Sequence, residues 1–134
     1  MANPSLELQT MRTLAKGRDL LSFASGDVIF KDGDRGDCLY GVVQGEVKVS
    51  WGDGSQWESF GPGSSFGVGA LIDADHQRFG TATALSDSQL MVMNREEFLL
   101  AVQELPMFGL EMIHDLDQRL RHLKAGSPQQ AGGV

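Results

Sequence analysis

Arg78 and the glycine-rich run before it are the residues in this sequence best suited to holding an anion. The run reads Gly61-Pro62-Gly63-Ser64-Ser65-Phe66-Gly67-Val68-Gly69-Ala70-Leu71, and Arg78-Phe79-Gly80-Thr81-Ala82 follows it. Its glycines let the backbone turn tightly and approach a ligand without a Cβ in the way. Residues 68–72 can form one helical turn, whose first N–H groups point at an anion. Arg78 adds a planar cationic fork suited to a phosphate. The same residues also serve as ordinary turns and a surface Arg, and neither piece alone is a specific motif.

Other chemistry finds less support. Asp73, Asp75, His76 and Gln77 form a polar loop between the two pieces, which reads first as solvated and second as ligands for an unusual effector. Asp34 and Asp37 read as turn-formers. The histidines are His76 in that loop and His114 and His122 on a helix, eight residues apart and too far for one ion. Cys38 is the only cysteine, which excludes an intramolecular disulfide and a thiolate metal cage. It reads as a buried strand residue. No catalytic spacing is present, so no catalytic residue, no metal ligand and no required cofactor are assigned.

The elements that must position these residues follow from periodicity. The chain has 134 residues, enough for one domain with its own core. From residue 19 to 94, short apolar runs at 20–23, 28–30, 39–43, 47–51, 56–60, 81–85 and 90–93 alternate with turn signals. Glu46-Val47-Lys48-Val49-Ser50-Trp51 alternates strictly, giving a strand with one buried and one wet face. Of Trp51 and Trp57, one reads as core and the other as exposed. The expected fold is mainly β, an antiparallel jelly roll, with an N-terminal helix and two C-terminal helices.

The first helix is expected over 6–16, from Leu6, Met11 and Leu14 between Pro4 and Gly17. Asn94 and Glu97 form a capping box for a helix whose apolar stripe is Phe98, Leu99, Val102 and Leu105. Pro106 ends it and opens a second helix over 107–124, stopped by Gly126. Ile113, Leu116, Leu120 and Leu123 make a short a/d seam on that helix. The resulting organisation is a helical segment at 1–18, a β-roll at 19–94 containing the loop 61–82, helices at 95–126 and a disordered tail at 127–134.

Several stretches in this order carry a family resemblance. Gly26-Asp27-Val28-Ile29-Phe30-Lys31-Asp32-Gly33-Asp34, Gly36-Asp37-Cys38-Leu39-Tyr40 and Gln44-Gly45-Glu46-Val47-Lys48-Val49 look like the strand and turn signatures of the cyclic-nucleotide-binding domain. That domain is shared by the catabolite-activator and kinase-regulatory-subunit superfamily, and the resemblance spans about residues 20–124. The family's phosphate-binding cassette reads about F-G-E-x-A/G-L, then R-S/T-A some ten residues later. Here the halves stand as Phe66-Gly67-Val68-Gly69-Ala70-Leu71 and Arg78-Phe79-Gly80. The resemblance implies that Gly67 offers a backbone N–H and Arg78 its guanidinium to a cyclic phosphate.

Two positions depart from the family. Val68 replaces the Glu that accepts the ribose 2′-hydroxyl, and loss of that charge-assisted bond costs about 1.5–3 kcal/mol. Phe79 replaces the small hydroxyl residue, withdrawing a donor and adding bulk that could fill the phosphate space. Late in the long helix, where the family's transcription factors touch the base, stand Leu123 and Lys124. The resemblance therefore implies a pocket of Phe66, Gly67, Val68, Gly69, Ala70, Arg78, Phe79 and Gly80, taking a cyclic nucleotide or another anionic effector weakly, with cAMP above ~100 µM.

Two functions remain open. One is a regulatory sensor that signals through a homodimer helix of Ile113, Leu116, Leu120 and Leu123. The other is a ligand-free dimerisation or protein-interaction module on the same fold, acting on an unknown protein partner. The stripe could also pack within the monomer. A net charge of −7 and scattered Lys and Arg argue against direct nucleic-acid binding. No winged helix-turn-helix follows residue 126, so a stand-alone domain is expected. There is no apolar run of membrane-spanning length and no secretory signal, which makes the cytoplasm the expected location.

Overall fold

The computed structural model describes residues 6–15 and 17–126. The expected helix start near Pro4, its end at Lys16 and the tail at 127–134 lie outside the described residues. Helix α1 spans Leu6–Ala15. Strands β1 Leu21–Phe23, β2 Val28–Phe30, β3 Cys38–Gln44, β4 Val47–Trp51, β5 Gln56–Phe60 and β6 Ser65–Phe66 follow. Then come α2 Gly69–Ile72, β7 Thr81–Ala84, β8 Ser88–Asn94, α3 Arg95–Glu104 and α4 Pro106–Lys124.

The strands pair in nested fashion, β1 with β8, β2 with β7, β3 with β6 and β4 with β5, all antiparallel. This is a long hairpin rolled up into two sheets, ordered β1-β8-β3-β6 and β2-β7-β4-β5. The expected jelly roll is therefore present. Strand β8 shows why: its apolar run faces two cores at once. Leu90 joins Phe30, Val42, Val47, Phe60, Phe66 and Ala82 between the sheets. Met91 and Met93, on the opposite face, join Leu39, Leu8, Met11, Phe98, Ala101, Phe108 and Met112 under the helices.

The C-terminal helices start as the local sequence dictates. Asn94 accepts from the Glu97 N–H and Glu97 accepts from the Asn94 N–H, both at 2.9 Å, completing the capping box. Pro106 opens α4. The expected stripe on α3 needs correction. Phe98 and Ala101 are its buried residues, whereas Leu99, Val102 and Leu105 are exposed, because α3 docks on β8 and α4 along a narrower face. Both tryptophans are half-buried, so neither is a core anchor. Strand β6 was not expected: two residues in a Gly/Ser-rich stretch are too short to show alternation. Leu85 falls outside β7, Leu20 outside β1, and β3 and β8 extend beyond their apolar runs.

Candidate binding site

Three aromatic rings make a row between the sheets. Phe30 and Phe66 lie 6.2 Å apart and Phe66 and Phe60 5.5 Å apart, centroid to centroid. A cavity of about 250 Å³ opens on this row, walled also by Val49, α2 and α4. It brings together Phe66, Gly67, Val68, Gly69, Ala70, Arg78 and Phe79 from the two expected pieces. Gly80 is not among the lining residues; its N–H donates to Asp32 Oδ1 at 2.7 Å and is already spent.

Arg78 is far from a surface residue: it is 5% exposed. Its Nη1 donates to the Gly67 carbonyl and its Nη2 to the Cys38 carbonyl, both at 2.7 Å. The guanidinium lies 4.4 Å from the centroid of Phe30 and 5.6 Å from that of Tyr40. Two glycines make this slot. A Cβ at Gly36 would fall inside the guanidinium, and one at Gly67 would come within 2.8 Å of Nη1. Gly67 also has φ +91°, which an L side chain resists. The carbonyl of Gly67 thus engages Arg78, a role distinct from the N–H donor implied by the family resemblance. Among the described residues no carboxylate lies within ion-pair distance of Arg78.

Val68 and Phe79 also behave differently from expectation. Val68 lines the cavity but packs into the helix-side core with Leu39, Leu71 and Met112, at 9% exposure. Phe79 is 78% exposed and stands at the rim, so it does not fill the phosphate space. The backbone turns outward there because Gly80, at φ +97°, is tied to Asp32. The loop Asp73–Gln77 is closed on itself. Asp73 Oδ2 accepts from the N–H of Asp75 and of Gln77, and His76 Nδ1 meets the Ala70 carbonyl at 2.9 Å. Cys38 is half-buried at the start of β3. Asp34 does form the expected turn, accepting from the Lys31 N–H.

The long helix enters the cavity one turn earlier than length alone suggested. Leu116 and Arg119, rather than Leu123 and Lys124, line it. Arg119 was missed in the sequence, where it is one of several basic residues in a polar stretch. The available signal was its i, i+3 relation to Leu116. Its Nε and Nη2 donate to the two carboxylate oxygens of Glu58, each at 2.9 Å, and its guanidinium lies 5.0 Å from the Phe60 centroid. Glu58 itself is 5% exposed. The seam expected for pairing is largely open: Ile113, Leu116 and Leu120 are exposed and Leu123 is half-buried.

Among the described residues no three His, Cys, Asp or Glu side chains cluster to hold a metal ion, and no helix is long and apolar enough to cross a membrane. The cavity can therefore offer an anion a buried cation at one end, an aromatic floor, and a second, carboxylate-anchored cation at the other.

Comparison with known proteins places this architecture. The cyclic nucleotide-binding domain model matches residues 20–104. The cyclic AMP receptor protein of Thermus thermophilus is 32% identical over 103 residues, 74% of this chain and 47% of that protein. The cAMP-dependent protein kinase regulatory subunit of Debaryomyces hansenii is 31% identical over 127 residues, 93% of this chain and 28% of that subunit. The chain thus spans less than half the length of these relatives. A solved structure from a cyclic-GMP-dependent signalling pathway that regulates bacterial phytopathogenesis superposes with a TM-score of 0.74 at 25% identity, covering 90% of this chain and 98% of that one. With nested strands, a cavity beside Arg78 and a family match over most of the roll, the chain belongs to the cyclic nucleotide-binding domain family.

Proposed function

We propose that this chain is a regulatory sensor that binds a cyclic nucleotide or a similar small anionic effector in the cavity beside Arg78 and signals through α4. The observation that carries the reading is the buried guanidinium of Arg78, at 5% exposure with no carboxylate partner among the described residues. A buried cation is costly unless paired. Backbone carbonyls and ring faces supply part of the compensation, and a ligand phosphate supplies the rest. The Thermus relative is a cyclic AMP receptor and the superposed structure comes from a cyclic-GMP pathway, which agrees with a nucleotide-like ligand. The residues assign no catalytic role, and the listed chemistry is that of binding.

Transmission follows from Leu116, which both lines the cavity and stands on the exposed stripe Ile113, Leu116, Leu120. A ligand that displaces Leu116 alters the surface through which a second copy would pair. The expected result in sedimentation is a homodimer for the wild type and a monomer for the Leu116→Glu, Leu120→Glu variant, with nucleotide shifting the wild-type equilibrium. A wild type that stays monomeric at high concentration with and without nucleotide removes the signalling half of the proposal. The second reading, a ligand-free module, is favoured by the carbonyl bonds that already engage Arg78 and by the core packing of Val68. It predicts dimerisation indifferent to nucleotide.

A further inference from the structure

We infer that the Glu58–Arg119 pair is the base-reading element of this cavity and that it selects a guanine over an adenine base. The inference rests on the sensor reading above and deepens it. Glu58 of β5 points to the same face as Phe60, two residues on, and stands opposite Val49 of β4 in the sheet register. Phe60 and Val49 both line the cavity, as does Arg119. The pair therefore sits in the cavity wall.

Its position relative to Arg78 matters. Arg78 stacks on Phe30 at one end of the aromatic row and Arg119 on Phe60 at the other, with Phe66 between. Two ring-to-ring steps are a span on the scale of a mononucleotide. A ligand phosphate drawn to Arg78 would lay its base along the rings toward Arg119.

The hydrogen bonds decide what Arg119 can read. Glu58 takes the side-on edge of the guanidinium, Nε and Nη2. The end-on edge, Nη1 with the second hydrogen of Nη2, keeps two parallel donors. Guanine presents O6 and N7, two acceptors matched to such a fork. Adenine keeps N7 but replaces O6 with an N6 amino donor, which opposes a guanidinium donor. Glu58 is the positioning residue: its bidentate bond holds the fork in one orientation. A pair this buried gains little net stability over an apolar pair of similar volume, so stability alone does not account for it.

The test is titration of the full chain with cGMP and cAMP, by calorimetry or competition, at one ionic strength. The wild type is expected to bind cGMP about tenfold or more tightly than cAMP, from one bidentate base contact. Arg119→Met and Glu58→Gln are expected to bring that ratio near unity by weakening cGMP and leaving cAMP unchanged. Arg119→Lys, which keeps the charge but not the fork, is expected to do the same. The double variant Glu58→Met, Arg119→Met leaves no unpaired buried charge and guards against a folding defect in the single ones. Equal affinities or a cAMP preference in the wild type, or a cGMP preference that survives in the double variant, overturns the inference and leaves the sensor reading standing. Absence of binding for both nucleotides overturns both.

Discussion

Arg78 reaches its buried slot only because residues 36 and 67 lack a Cβ. Gly36→Ala is expected to push the guanidinium out of place and destabilise the fold by about 1–3 kcal/mol, read as a lowered midpoint in thermal denaturation. An unchanged midpoint would mean that the slot adapts at no cost. The residues at 68 and 79 can now be separated. Phe79, 78% exposed, is replaceable by Ser without loss of packing, whereas Val68 shares the helix-side core. The Val68→Glu, Phe79→Ser variant is expected to gain about tenfold or more in cAMP affinity from the restored hydroxyl acceptor. Its stability should fall by about 1–3 kcal/mol, the cost of a partly buried carboxylate. No gain in titration would mean that the ribose does not approach residue 68. Gly67 and Arg78 were legible in the sequence because the family pattern marks them. The direction of the Arg78 side chain was not, since it depends on carbonyls supplied by residues 38 and 67. Arg119 was illegible for a related reason: only docking of α4 on the roll distinguishes it from its basic neighbours.

Helix α1 is tied to the roll and to α4 through a buried acid. Glu7 is fully buried; its Oε2 accepts from the Ser65 hydroxyl of β6 at 2.6 Å, and Oε1 has no partner. Burial, followed by the Asp115 carboxyl and the charge of Glu111, pushes its pKa from 4.5 up to about 8, against the pull of the Ser65 hydroxyl. Folding therefore holds a proton that the unfolded chain releases above about 4.5. The folded state should lose stability as pH rises from about 4.5 to about 8, by at most ~1.4 kcal/mol per pH unit, and level off above that. Glu7→Gln should abolish the slope, leaving a higher melting temperature than wild type at pH 8; parallel pH profiles for the two proteins would contradict it. The α3 start is more robust, because one carboxylate serves two purposes. Glu97 completes the capping box and also pairs with Arg18 at 2.9 Å. Burial opposes its charge, but Arg18 and the Asn94 N–H hold its pKa below the usual value. At this scale the box was readable from two residues three apart, a local signal. The α1 clamp was not, since Glu7, Ser65 and Asp115 meet only in the fold.

Across the whole molecule, the nested strand order was legible because β-turn signals and alternating runs are local, and nesting follows once each run pairs antiparallel. The cavity is a product of that nesting: β2, β4, β5 and β6 supply its floor and side, α2 and α4 its rim. Its coupling to a second copy is a matter of one helix face. Leu116 points both ways, and its neighbours Ile113 and Leu120 remain exposed. A binding site whose wall is also a pairing surface is what a small sensor requires, since no other element connects the two. The most direct test of this account is an amide correlation spectrum of the isotope-labelled protein titrated with cGMP and cAMP into the millimolar range, which detects weak binding. The account predicts saturable shifts confined to Gly67–Ala70, to Arg78 and Phe79, and to Leu116–Arg119, with cAMP half-saturating above ~100 µM. Spectra unchanged by either nucleotide, or shifts that map away from these three segments, would contradict it.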